Sequence, residues 1–218
     1  MLRTLALTLS IVLAGCAAKR DAPPPAVALA PAPAPEQPTW RGIALPEDAD
    51  RIDTLEATWA AAVAGVPTRG RATLAAEGPL VDRAAALDHP ALPPGAYKCR
   101  LVRVGTGAGR GGVTAFPSFF CNVGSGGEDG ALSLSKQTGS DLPAGWLHMD
   151  GDHRYVFLGA RQARPGDTSL MYGTDRARDV AGVVERIGPF RWRLAVPSAP
   201  AAVEIYELTP VPPEAQPG

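Results

Sequence analysis

Hydrophobic and polar positions change their period once along this 218-residue chain. Before about residue 90 they repeat as on a helix. Ile52, Leu55, Trp59 and Ala62/Val63 stand at i, i+3, i+7 and i+10/i+11, which makes one apolar stripe. Pro46, Glu47, Asp48 and Asp50 mark the helix start: proline needs no N–H partner in the first turn, and acids there meet the positive end of the helix dipole. Gly65 and Pro67 end it. A second helical piece is expected from about Arg71 to Glu77, closed by Gly78-Pro79, with Leu80, Val81 and Leu87 packing it down.

From Pro93 onward the period is two. Tyr97, Cys99 and Leu101 alternate with Lys98, Arg100 and Val102; Phe119, Cys121 and Val123 do the same, as do Leu132 and Leu134 against Ser133 and Ser135. The series continues at Tyr155 and Phe157, Leu170 and Tyr172, Val180 to Ile187, Trp192-Leu194-Val196, and Val203 to Leu208. Between them lie turn segments: Gly105 to Gly112, Gly124 to Gly130, Asp150-Gly151, Pro165-Gly166-Asp167 and Gly188-Pro189. The fold class expected is mainly β with an N-terminal helix (α+β): an antiparallel barrel-like or sandwich domain of about eight or nine short strands. It runs from residue 40 to 209, and residues 210–218 are expected to form a disordered tail.

The first 39 residues are of another kind. Leu5 to Leu13 is an apolar run broken only by Thr8 and Ser10. It is short of the roughly 20 residues a membrane-spanning helix needs, and behind Arg3 it suits the core of a signal peptide. Leu13-Ala14-Gly15-Cys16 resembles the bacterial lipobox, in which the thiol takes a diacylglycerol and the chain is cut before the cysteine. Residues 1–15 are thus expected to be a signal peptide. Cys16, carrying palmitate-type acyl chains, is expected to be the membrane anchor, each buried methylene contributing about 0.8 kcal/mol. Ala17, by resemblance to sorting signals of double-membrane bacteria, favours the outer membrane, with the domain facing the periplasm. Residues 16–39 then form the lipidated cysteine and a Pro/Ala-rich linker. Its prolines exclude helix and sheet ladders and favour an extended spacer of about 3.1 Å per residue.

Charge and cysteines narrow the reading further. The chain has 21 basic and 22 acidic residues, and loss of Arg3 with the signal peptide leaves a net charge of −2. Nucleic-acid binding needs a basic face, so that class is excluded. Cys16 is committed to lipid, which leaves Cys99 and Cys121 on consecutive strands and on one face. In an oxidising compartment they are expected to form a structural disulfide. Closing that loop contributes roughly 3 kcal/mol on the chain-entropy account. The spacing is not Cys-x-x-Cys, so a redox pair is not expected.

The chemical motifs fail on context. Gly107, Gly109 and Gly112 spell Gly-x-Gly-x-x-Gly, but Val113 to Pro117 cannot open the helix a dinucleotide site requires. Ser133 and Lys136 fit Ser-x-x-Lys, yet on an alternating strand they point to opposite faces. His148, Asp150, Asp152 and His153 are weak metal candidates, and an Asp-Gly turn accounts for them as well. Asp175-Arg176-Ala177-Arg178-Asp179 reads as a solvated turn. No catalytic residue, cofactor or metal is assigned. The aromatic residues Tyr97, Phe119, Trp146, Tyr155, Phe157 and Trp192 are the expected lining of a ligand cavity inside the β domain.

Pro94 to Arg100, Phe116-Pro117 to Cys121, Thr138-Gly139-Ser140, Val156 to Gly159, Tyr172-Gly173, Arg178 to Gly182, and Glu185-Arg186-Ile187-Gly188 through Arg191-Trp192-Arg193-Leu194 resemble an uncharacterised family of bacterial lipoproteins, "domain of unknown function 4893". The resemblance implies a paired-cysteine envelope domain and brings neither an activity nor catalytic residues. The function expected is a non-enzymatic, monomeric binding module for a small ligand or an envelope protein. The alternatives are a periplasmic protease inhibitor, whose N-terminal segment would enter the protease, and a metal-dependent enzyme using the 148–153 hairpin.

Overall fold

The computed structural model describes residues 39–126, 131–140, 142–162 and 171–215. Cys16, the signal peptide and the linker to residue 38 lie outside these. So do residues 127–130, the expected Pro165-Gly166-Asp167 turn, Leu170 and the last three residues.

Nine strands form: β1 (Gly95–Gly105), β2 (Val113–Ala115), β3 (Phe119–Ser125), β4 (Leu132–Lys136), β5 (Leu142–Asp150), β6 (Arg154–Gln162), β7 (Asp179–Gly188), β8 (Arg191–Ala199) and β9 (Ala202–Pro210). Neighbours are antiparallel in the order β2-β1-β3-β4-β5-β6-β7-β8-β9, and β1 also pairs β9 from Tyr97↔Pro210 to Gly105↔Ala202. Strands β1 and β3–β9 therefore close an eight-stranded barrel, which settles barrel against sandwich. β2 is the extra strand. It takes the edge of β1 at Val102–Val104, beyond the point where β3 pairs with Cys99. The expected strand around Tyr172 is absent; residues 172–178 are mostly turn, with Gly173 in the left-handed region at φ +80°. Past Pro210 the chain stays attached: the Val211 N–H donates to the Ala96 carbonyl, and Pro213–Ala215 is a short 3₁₀ turn.

Alternation sorts the strand residues onto two faces. Tyr97, Cys99, Cys121, Val123, Leu134, Leu147, Phe157, Val184, Trp192, Leu194, Tyr206 and Leu208 fill the inside. Val102, Val104, Val156, Leu158, Ala181, Val183, Ala195 and Ile205 point outward, into a second core beneath the helices. Two covered faces explain why Val180 to Val184 carries no polar side chain. The Cys99–Cys121 disulfide is formed inside the barrel and joins β1 to β3, with Cα atoms 6.0 Å apart.

The outer cover comes from α1 (Trp40–Ile43), α2 (Pro46–Asp53), α3 (Leu55–Ala64) and α4 (Thr68–Ala76). Ile52, Leu55, Trp59 and Ala62 are all buried, as their spacing requires. The stripe belongs to two helices, because at Thr54 the hydroxyl donates to the Asp50 carbonyl at 2.7 Å and the helix is interrupted. The second piece starts at Thr68, where extended Pro67 launches it, rather than at Arg71. Leu80 is buried, whereas Leu87 is exposed and only its backbone is pinned, donating to the Arg186 carbonyl.

One buried guanidinium locks this cover to the barrel. Arg193 on β8 is fully buried; its Nε donates to Glu185 Oε2 at 2.8 Å, and its Nη1 donates to the Asp82 carbonyl at 2.6 Å and the Pro79 carbonyl at 3.1 Å. Arg83 meets the same Glu185 at 2.5 Å, and both guanidinium groups sit 5.0 Å from the Trp59 ring. Burial pulls the Arg193 guanidinium below its ordinary value, and Glu185 works against that pull. Trp192 adds a further pin, its indole N–H donating to the Pro90 carbonyl at 2.9 Å.

Candidate binding groove

The barrel interior is packed. A space inside it bounded by Cys121, Phe157, Leu194 and Tyr206 holds about 10 Å³, too little for more than a single water. The aromatic residues expected to line an interior cavity divide between the two faces of the wall. Tyr97, Phe119, Tyr155, Phe157 and Trp192 do point inward, but they pack on one another and on the disulfide. Tyr97 meets Trp192 edge to face with centroids 6.1 Å apart, and Phe119 meets Tyr206 likewise at 6.3 Å. Burial and the Tyr97 hydroxyl's bond to the Pro93 carbonyl mark it as structural, and desolvation pushes its pKa up to about 12. Trp146 does not join them.

Trp146 stands on the outer wall. Its strand position makes it the direct partner of Ser133 on β4 and of Leu158 on β6. The next outward row is made of small residues, with Ser135 paired to Ala144 and Ala144 to Ala160. A large ring beside small side chains leaves a trough, and here its volume is about 420 Å³. Ser133, Ser135, Ala144, Trp146, His148 and Gln162 form its floor; Ile43 of α1 and Met171-Tyr172 form its rim. That size and this mixture of apolar surface with a few polar groups are those of a small-molecule site. A broader cleft between α3 and the β8–β9 turn offers only hydroxyls, small residues and Arg51. Arg51 is already committed to Asp48 and the Pro197 carbonyl.

A buried carboxylate fixes the rim. Asp48, in the first turn of α2, is fully buried, accepts from the Tyr172 hydroxyl at 2.7 Å and from both Arg176 terminal nitrogens at 2.5 and 3.1 Å. The Tyr172 oxygen in turn accepts the Leu45 N–H at 2.9 Å. Burial works to raise the Asp48 carboxyl, but the bonds from Arg176 and Tyr172 outweigh it and hold the group below its ordinary value. Burial, with Asp48 beside it, raises the Tyr172 phenol. The 175–179 run is the solvent-exposed turn expected, and from it Arg176 reaches Asp48 as a clasp on the rim.

The other nominated residues do not converge. His148 faces the groove, and burial pulls its imidazole below the ordinary value, so it is neutral at pH 7. His153 instead pairs with Asp88 at 2.6 Å, Asp150 accepts from Arg154 at 2.8 Å, and the Asp152 carbonyl accepts the His89 N–H. Among the described residues no three His, Cys, Asp or Glu side chains form a metal-sized cluster. Ser133 and Lys136 lie on opposite faces, Lys136 turning inward with its ammonium 4.3 Å from the Phe119 ring. Sequence reasoning missed Ser133, Ser135, Gln137 and Tyr172 as groove residues. The available signal was two serines flanking Leu134, opposite a strand carrying Trp146.

A family described as a domain of unknown function (DUF4893) matches residues 40–208, nearly the whole of the described barrel and its cover. The chain belongs to the DUF4893 family. No curated protein and no solved structure matches it at a significant level. The residues carrying the DUF4893 resemblance have visible jobs in the fold: Cys99 and Cys121 form the disulfide, Glu185 and Arg193 the buried ion pair, and Tyr172 the rim.

Proposed function

We propose that this DUF4893 protein is a periplasm-facing lipoprotein, anchored to the outer membrane through Cys16, whose barrel serves as a non-enzymatic binding module. Its ligand sits in the outer groove and not in the barrel interior. The observation that carries this reading is the groove itself: about 420 Å³, floored by a half-exposed Trp146 and uncharged polar side chains, on a wall braced from behind by a filled barrel. A packed interior gives a rigid platform, and rigid sites lose less entropy on binding. The apolar run and lipobox at Leu13 to Cys16 support the anchor, and the linker would set the barrel's reach from the membrane.

Two measurements test the parts separately. Metabolic labelling with an alkyne analogue of palmitate should tag the wild-type chain and leave the Cys16→Ser chain untagged; equal tagging sinks the anchor. The neutral dye Nile red should bind the purified full-length protein and be lost in Ser135→Trp, which fills the groove. Undiminished dye binding by that variant sinks the groove.

A further inference from the structure

We propose that the ligand of this groove is an uncharged, hydroxyl-bearing ring, a neutral pyranose of a saccharide, stacked on the Trp146 indole. The inference rests on the groove reading above and names the chemistry that reading leaves open.

Three observations point to it. First, the four tryptophans divide sharply: Trp40, Trp59 and Trp192 are buried, while Trp146 is 41% exposed. Trp59 and Trp192 also commit their indole N–H groups to the Val81 and Pro90 carbonyls. The Trp146 N–H has no protein partner among the described residues. An indole lying open over a trough offers a flat, electron-rich face, and the polarised C–H groups on one side of a pyranose are drawn to such a face.

Second, the polar groups around that face are neutral. Ser133, Ser135, Gln137 and His148 line the trough, and no Asp, Glu, Lys or Arg does so among the described residues. An ionised ligand would lose hydration there with no counter-charge among the described lining residues to replace it. Third, these groups sit where hydroxyls would be needed. Ser133 is the direct cross-strand partner of Trp146, and His148 lies two residues along β5 on the same outward face. A neutral imidazole both donates and accepts, as a serine hydroxyl does, so each can meet a sugar hydroxyl in either sense. A purely apolar chain would cover these groups and leave them unpaired, which costs affinity.

The test uses the full-length protein with isotope-labelled indole nitrogens, the Trp146 signal being the one lost in Trp146→Phe. The probes are the neutral disaccharides cellobiose and N,N′-diacetylchitobiose, the anionic sugar glucuronate, and dodecanoate for an acyl chain. A neutral disaccharide should shift the Trp146 signal saturably, with glucuronate at least tenfold weaker and affinity falling at least tenfold in Trp146→Ala. Trp146→Phe, which keeps an aromatic face, should retain part of that affinity, and its unchanged Tm shows the loss is not unfolding. If dodecanoate or Nile red engages the groove and neither disaccharide does, the saccharide inference is overturned and the groove reading stands. If glucuronate binds as tightly as the neutral sugars, the inference is likewise overturned. Affinities of the variants, which lack that signal, are read by isothermal titration calorimetry alongside wild type, with the Tm of Trp146→Ala measured as well. If none of these probes moves the Trp146 signal, both fail together.

Discussion

Gly145 on β5 and Gly159 on β6 lie directly opposite each other, and neither has room for a side chain. A Cβ on Gly145 would fall 2.3 Å from the Leu158 carbonyl oxygen and 2.4 Å from the Gly159 Cα; one on Gly159 would fall 2.3 Å from the Ala144 carbonyl oxygen. The two strands approach so closely only because both residues lack a Cβ, and this pinch sits beside the outward row Ala144-Trp146-His148 that floors the groove.

Gly145→Ala should therefore injure both stability and site. Forcing the strands apart costs about 1–3 kcal/mol, as overpacking does, or a fall in Tm of several degrees for a domain of this size, at ~2–4 °C per kcal/mol. Thermal unfolding reads the first effect and Nile red affinity the second. An unchanged Tm would mean that the wall relaxes around the added methyl.

The buried pair Glu185–Arg193 is asymmetric in what its loss does. Arg193→Ala leaves Glu185 sharing only Arg83 and strips donors from the carbonyls of Pro79 and Asp82, which predicts a loss of about 3–5 kcal/mol. Arg83→Ala should cost less, since Arg83 is partly exposed and Arg193 still covers Glu185. Urea midpoints rank the two; the reverse order would contradict the assignment of Arg193 as the lock.

The disulfide staples β1 to β3 inside the barrel, across a sequence separation of 22 residues. Replacing both Cys99 and Cys121 by Ala should lower stability by roughly 3 kcal/mol on the chain-entropy account. The site should survive at temperatures where the variant is folded, because the groove lies on β4–β6. Denaturant titration and dye binding on one sample separate the two.

Acid should loosen the groove rim. The Asp48 carboxyl is held below its ordinary value of 3.8 in the folded chain, so its stabilising share is complete above that value and is lost as pH falls through the folded one. Wild type should exceed Asp48→Asn in urea midpoint at pH 7, and the gap should shrink below about pH 4. A gap that is constant with pH would show that packing, and not the carboxylate charge, ties Tyr172 and Arg176 to α2.

Much of the architecture is legible in the sequence, and the missing parts share a cause. Strand positions such as Tyr97-Cys99-Leu101 and the helical stripe Ile52-Leu55-Trp59 follow from periods of two and 3.6, which act locally. Closure of β1 on β9 joins residues about a hundred positions apart, so pattern alone left barrel and sandwich open. Trp146 is expected inward and stands outward because alternation gives two faces without saying which is inside. On β5 the usual cue is reversed: the inward face carries Pro143, Gly145 and Leu147, while the outward face carries the tryptophan. The groove is a product of register, Ser135 opposite Ala144 beside Ser133 opposite Trp146, and register is set by the whole barrel. The clasp at Asp48 is similar, joining residues 124 and 128 positions apart.

The central claim, a ligand held outside a filled barrel, is tested most directly by Nile red titration of two full-length variants in parallel. Ser135→Trp fills the groove, and Phe157→Leu opens a space inside. Dye affinity lost in Ser135→Trp and kept in Phe157→Leu, whose Tm alone falls, is the outcome predicted here. Affinity kept in Ser135→Trp and changed in Phe157→Leu would place the ligand inside the barrel and contradict the account.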